Sequence, residues 1–352
     1  MPTPPTLVLI PGSWHKPACY DPIIALLQTT HHLPYLAITL PSTTGNPDAT
    51  FKDDIDAATS AIASQTAQGK DVVVIAHSYG GMVGNSAIKD FTRPRQSQPP
   101  IAVAAPGEDG DQDKRQGSVI GLILIASGFT FTGLSFMDPF LGHPPPFWSA
   151  NWATGFAELV DPPGPKALFY HDLPDAEAEY WVSQLTLQSL KALFEGGEYA
   201  YAGWKDVPTW YLGTVLDRGL PVVVQRLAVG MARAMGGDVQ HREVRSSHSP
   251  FLSVREETVG VVVEAVEAFT GLANVKQTEA EAEADSGTVS AGPKGRSYEG
   301  DGVVVPSPRL WRPLTWVKFG VPLVFGRLVG TGIVAFTWGR RLWRSRFGLR
   351  SV

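Results

Sequence analysis

Short, uniformly apolar runs alternate along this chain with stretches whose apolar residues recur at helical spacing. Residues 7–10 (LVLI), bounded by Pro5 and by Pro11-Gly12, read as a buried strand entering a turn. Residues 21–28 carry a proline in the first turn of an expected helix, and 35–40 read as a second short strand. Alanines and isoleucines at helical spacing over 51–68 lead into 71–76 (DVVVIA), a β-branched run that predicts a strand buried on both faces. That run passes through His77-Ser78-Tyr79-Gly80-Gly81 into a helical stretch, 82–91. Further strands are expected at 119–126 and 209–212, and an amphipathic helix at 256–269 closes the body. Alternating β and α segments imply an α/β fold with a mostly parallel central sheet and helices on both faces.

Three stretches break the alternation. Residues 92–117, rich in Pro, Gln, Gly and charge, read as a solvated polar insertion. Residues 129–205 are aromatic and proline-rich and hold a helical run at 175–194, an excursion from the sheet that is expected to form a helical lid. Beyond a body of residues 1–271, an Ala/Glu/Gly/Ser linker at 272–302 has no plausible core and is expected to be disordered. A basic, apolar tail follows at 303–352.

Composition narrows the setting. The 352 residues are 43% apolar and 18% charged, enough for a full-sized core. Cys19 is the only cysteine, so an intramolecular disulfide and a zinc site built on several cysteines are excluded, and a reducing, cytoplasmic setting fits. The N-terminus lacks a basic segment and a long apolar run, so export is not expected. The net charge of −5 hides an asymmetry: residues 1–271 hold 17 Lys and Arg against 28 Asp and Glu, whereas 303–352 hold nine Lys and Arg and no acid. The acidic body argues against a nucleic-acid partner. No phosphate loop or metal triad is visible, and no cofactor is expected. Within the tail, 319–339 carries one charge, Arg327, and is just long enough to span a bilayer, but Pro322 and five glycines weaken it as a helix. Membrane association through 319–350 and a solvated or docked tail both stay open, as does the oligomeric state.

The chemistry centres on Ala76-His77-Ser78-Tyr79-Gly80, a match to the nucleophile elbow G-x-S-x-G with Ala in the first glycine position, set between a strand and a helix. A serine in such a turn can also serve only as a helix cap. As a nucleophile it needs a base within hydrogen-bond reach, itself oriented by an acid. In elbow folds the acid and then the histidine follow the serine, which leaves His143, His171, His241 and His248. His248, in the turn-forming Ser246-Ser247-His248-Ser249-Pro250 before the terminal helix, is preferred, since His241 lies in a polar run that reads as an exposed edge strand. Asp217 follows the 209–212 strand and leads over Asp206, Asp238 and Glu243 as the acid. An oxyanion would be met by the backbone N–H groups of Tyr79 and of Ser13, in the loop after the first strand. Trp14, His15, His77, Phe147, Trp148, Trp152, Tyr180 and Trp181 are candidate pocket residues, several of which are equally at home in a lid core.

With AHSYGG, LVLIPGSWHKPACYDPI, FYHDLPDAEAEYWVSQLTLQSL, VPTWYLGTVLDRGLPVVVQ and SHSPFLSVREE in this order, the chain over about residues 5–270 resembles the α/β-hydrolase superfamily, in its methylesterase and hydroxynitrile-lyase-like branch. The resemblance implies a nucleophile at Ser78, an acid at Asp217, a base at His248 and oxyanion donors at Ser13 and Tyr79. Departures are Pro11 where the family usually has His, the insertion and the tail. Lyase members carry Thr at the Gly12 position and Lys after the catalytic histidine, where this chain has Ser249. Hydrolysis of a small or medium carboxylic ester through an acyl-enzyme is therefore expected over cyanohydrin cleavage. Lactone or C–C bond hydrolysis, and a binding protein without turnover, are the alternatives.

Overall fold

The computed structural model describes residues 3–93, 116–271, 302–307 and 313–347, with side chains through Phe336. Most of the expected polar insertion (94–115) and of the expected linker (272–301) lies outside the described residues.

The expected alternation forms one sheet. Strand β1 (Thr6–Ile10) leads to helix α1 (Asp21–His31), β2 (Tyr35–Ala37), α2 (Phe51–Thr66), β3 (Val72–His77) and α3 (Gly80–Ala87). After β4 (Val119–Ile125) the lid contributes β5 (Trp148–Asn151), β6 (Phe156–Leu159), α4 (Gly164–Phe169), α5 (Asp175–Ser183), β7 (Gln188–Ser189) and α6 (Leu190–Phe194). The chain rejoins the sheet with β8 (Thr209–Thr214), α7 (Val222–Ala234), β9 (Val239–Val244), α8 (Pro250–Ser253) and α9 (Arg255–Thr270). The final elements are β10 (Val303–Val304) and the long helix α10 (Val321–Phe347). The strand order is β10-β9-β8-β4-β3-β1-β2, parallel throughout except for β10, which pairs antiparallel with β9.

The central strands β1, β3 and β8 are buried at every position, as strands covered on both faces should be. Helices α1 and α9 pack together, as do α2 and α3, on the two faces of the sheet. Helix α2 opens with a reciprocal cap in which the Thr50 hydroxyl accepts from the Asp53 N–H and the Asp53 carboxylate accepts from the Thr50 N–H.

Three expectations change. The helical run at 175–194 is broken, because the Thr186 N–H donates to the Trp14 carbonyl (2.8 Å) and Gln188–Ser189 pair with β6. The lid therefore combines short helices with a three-stranded antiparallel sheet, β5-β6-β7. Strand β9 is not an exposed edge: His241 and Glu243 are buried, with β10 alongside and α7 above. Lastly, β10 and α10 lie beyond residue 271, yet one extends the sheet and the other packs along α7.

Leu124 is fully buried at the centre of β4, between β3 and β8. Leu124→Ala should lower stability by about 2–5 kcal/mol, the usual range for a buried leucine whose cavity cannot collapse, measured by urea denaturation.

Candidate active site

Five loops, those after β1, β3, β4, β8 and β9, meet at the carboxyl ends of the parallel strands, where open α/β sheets place their sites. Ser78 sits on the turn from β3 to α3 with φ of 51°, a left-handed backbone rare for a residue with a side chain. Small neighbours make that turn sterically feasible. A Cβ on Gly80 would lie 2.3 Å from the Pro11 carbonyl oxygen, and one on Gly81 would lie 2.0 Å from the Ser127 Oγ. The Ser127 hydroxyl in turn donates to the Ser78 carbonyl at 2.7 Å. Ala76, which stands in the first glycine position of the elbow, is accommodated by Gly84 on α3, where a Cβ would come within 3.1 Å of the Ala76 methyl.

His248 and Asp217 are joined by a hydrogen bond of 2.7 Å from the ring Nδ1 to the Asp217 Oδ2. Asp217 is buried and accepts from five donors in all. Its Oδ2 also receives the Thr214 hydroxyl (2.7 Å) and the Gln225 amide (3.2 Å), and its Oδ1 receives the N–H groups of Gly219 and Leu220 (both 2.8 Å). Burial works against the charge on this carboxyl, but His248 and these donors outweigh it and hold its pKa below the ordinary value of 3.8. An ionised Asp217 fixes the His248 tautomer with the proton on Nδ1 and leaves the lone pair on Nε2. The His248 backbone is fixed from below, its carbonyl accepting from the His77 ring Nε2 at 2.9 Å. From the lid, the Asp172 carboxylate accepts the neighbouring Ser247 N–H at 2.6 Å.

Ser78, His248, Ser13 and Trp14 line one cavity of about 660 Å³. Its remaining walls are largely apolar: Met82, Phe129, Phe131 and Phe136, lid residues Phe147 and Trp148, and Leu227, Ala228 and Met231 from α7. Gly12 lets the Ser13 loop approach, since a Cβ there would lie 3.0 Å from the Ser78 Cβ and 2.9 Å from the His77 ring. Neither Ser13 nor Tyr79 donates its N–H in the loop and turn hydrogen bonds among the described residues. The Ser13 carbonyl accepts from His15 Nδ1 (2.7 Å), whose Nε2 receives the Tyr170 hydroxyl (2.8 Å). Burial drives the His15 pKa down to about 4 and holds that of His77 well below the ordinary imidazole value, so both rings are neutral braces.

Of the expected pocket residues, Trp14, Phe147 and Trp148 line the cavity. His15 and His77 stand behind it, and Trp181 is buried against His15 and Tyr170 in a separate small pocket. Trp152 and Tyr180 are exposed and line no part of the cavity, Trp152 resting its ring against Phe194 and Tyr180 its ring against Trp181. Two of the rival acids and the rival base are committed elsewhere. Glu243 forms a bidentate pair with Arg226 (2.7 Å to each oxygen), Asp206 accepts the Tyr201 hydroxyl, and neutral His241 lies beside Glu243. Thr214, Gln225, Ser127 and Asp54 carry no sequence signal, because their partners lie elsewhere in the chain or in turns whose geometry only folding creates.

A family model described as the alpha/beta hydrolase family matches residues 7–261, and the chain belongs to that family. Among its relatives, an alpha/beta hydrolase of Aspergillus novofumigatus, nvfD, is 25% identical over 252 residues, covering 71% of this chain and 91% of the relative. The solved pyrethroid hydrolase of Sphingobium faniae is similar in fold, with a TM-score of 0.54 and 18% identity over 76% of this chain and 98% of its own. A methylesterase of Arabidopsis is likewise similar, with a TM-score of 0.53 and 16% identity over 75% of this chain and 99% of its own.

Asp54 is a buried acid beneath the elbow. Its carboxylate accepts the Ser42 N–H (2.9 Å) and the Tyr79 hydroxyl (2.7 Å), and burial outweighs both bonds to raise its pKa from 3.8 to about 6. With the folded pKa the higher one, its contribution is complete below the unfolded value of 3.8 and is lost as pH rises through about 6. From about pH 4 to pH 7 the wild type should lose up to about 3 kcal/mol relative to Asp54→Asn, at about 1.4 kcal/mol per pKa unit. Urea midpoints of both proteins across that range measure it, and a constant difference would refute a raised Asp54.

Proposed function

We propose that the protein is a cofactor-independent serine hydrolase that cleaves a small or medium carboxylic ester through an acyl-enzyme on Ser78. The observation that carries this reading is the left-handed Ser78 in one apolar cavity with His248, whose ring is oriented by a five-donor Asp217. His248 Nε2 takes the proton as Ser78 Oγ attacks the ester carbonyl, and the charge that develops on oxygen meets the N–H groups of Ser13 and Tyr79. Collapse breaks the ester C–O bond, and the departing alkoxide receives the proton from His248. A water that His248 then deprotonates attacks the acyl-enzyme, releasing the acid and restoring Ser78. The names of similar proteins, the methylesterase and a polyneuridine aldehyde esterase, are those of esterases and support the same chemistry. Largely apolar walls, with Arg218 as the one Lys, Arg, Asp or Glu among the lining residues, suit an uncharged ester better than a polar one.

Labelling with a fluorophosphonate, followed by a screen of methyl, aryl and lactone esters, tests this reading. The wild type should label and Ser78→Ala should not, with kcat falling about 10⁶-fold in that variant and about 10⁴-fold in Asp217→Asn. Folded wild type that neither labels nor turns over any ester would leave a binding protein on this fold.

A further inference from the structure

The first half of α10 is seated on the body by its glycines. A Cβ on Gly230 would lie 2.3 Å from the Leu323 carbonyl oxygen, one on Gly326 would lie 2.1 Å from that of Leu227, and one on Gly330 would lie 2.6 Å from that of Met231. Arg226 fixes the approach to α10, its guanidinium donating to the Lys318 carbonyl (2.9 Å) and stacking on Phe319 at 4.6 Å. The face so seated is spent. Although Pro313–Phe336 is long and apolar enough to cross a bilayer, a crossing helix would have to leave α7.

The opposite face is what a helix docked on a soluble body should not show. Val321, Val324 and Leu328 recur at helical spacing as one stripe and are 61%, 49% and 65% exposed, and Val317, in the π-helical turn Trp316–Gly320 that leads into α10, is 69% exposed. Helical spacing sets Arg327 on the flank of that stripe, where a long cationic side chain reaches outward past an apolar face, and Lys318, in the turn ahead of it, holds its ammonium over the Phe319 ring at 5.3 Å. Residues 313–347 hold six Lys and Arg and no acid. Pairing with a second copy of this segment would bring six cations against six, whereas anionic lipid matches both the charge of the segment and the apolar stripe.

We propose that this face of the C-terminal helix docks on the surface of an anionic bilayer, lying in the interface rather than crossing it. The Arg226 contact sets the start of the helix at the end of α7 where Pro221 and Val224 line the cavity, and where Val223 and Val224 are themselves exposed. The docked helix thus brings the cavity rim to the lipid. Resting on the hydrolase reading, this gives apolar esters dissolved in the bilayer a short path to Ser78.

Co-sedimentation of full-length protein with phosphatidylcholine vesicles, with and without phosphatidylserine, tests the surface independently of turnover. The wild type should sediment with the anionic vesicles, less so as salt is raised. The double variant Val324→Asp, Leu328→Asp should bind at least about tenfold more weakly, while keeping wild-type turnover of a soluble ester and the same molar ellipticity. Wild type that stays in the supernatant, a variant that binds equally well, or a wild-type dimer that the variant turns into a monomer would each overturn the proposal. Vesicle binding without ester turnover would leave this surface standing and remove only the hydrolase reading.

Discussion

At Ser78 the chain leaves β3 for α3 through a left-handed turn, and the packing around it follows from that conformation. A serine held there costs of order 1–3 kcal/mol and persists only where its surroundings over-determine it. They do so here from three directions. Gly80 lets the turn close against Pro11, Gly81 admits the Ser127 hydroxyl that holds the Ser78 carbonyl, and Gly12 lets the Ser13 loop lie against the Ser78 side chain. The strain is also supported from below, because β3 is paired on both sides and the Ser78 N–H donates to the Ile125 carbonyl of β4 at 3.0 Å.

The histidine side of the site is governed by burial. Three imidazoles lie close together, with the His77 ring 4.7 Å from His248 and 5.7 Å from His15, and mutual repulsion would follow if all were charged. Desolvation removes that conflict by keeping His15 and His77 neutral, which frees each to act as a hydrogen-bonding strut. His248 differs in having an ionised partner, Asp217, whose charge its five donors sustain in a buried position. The division of labour among the histidines is thus set by which of them faces a carboxylate.

The elbow was legible in the sequence because its signal is local: a β-branched run, a serine flanked by small residues and a helical stretch lie within about twenty positions. Asp217 and His248 were legible through chain order, each in a turn after a strand. Contacts that join distant segments gave no such sign. Gln225 reaches Asp217 from the next helix, His77 reaches the His248 carbonyl across 171 positions, and the Tyr79 hydroxyl finds Asp54 on α2. Aromatic composition alone misassigned Trp152 and Tyr180 to the pocket, because an aromatic in a lid packs equally well on the outside. Polar QHREVR suggested an exposed edge, yet Arg226 neutralises Glu243 and the C-terminal segment covers the pair, which makes a charged strand tolerable inside.

Helix α7 connects these parts, since each of its faces has a different partner. Gln225 holds Asp217, the adjacent Arg226 pairs with Glu243, and Leu227, Ala228 and Met231 form a wall of the cavity. Gly230 and the backbone of Leu227 and Met231 receive α10. Paired with Glu243, the Arg226 guanidinium is capped by the Lys318 carbonyl and the Phe319 ring, both supplied by the C-terminal segment. Uncovering that pair would return water to a buried charge one residue away from the glutamine that steadies the acid. The C-terminal helix is therefore part of what keeps α7 in register with Asp217, and a shift along the glycine seam would reach the cavity wall and the His248 partner through the same thirteen-residue helix.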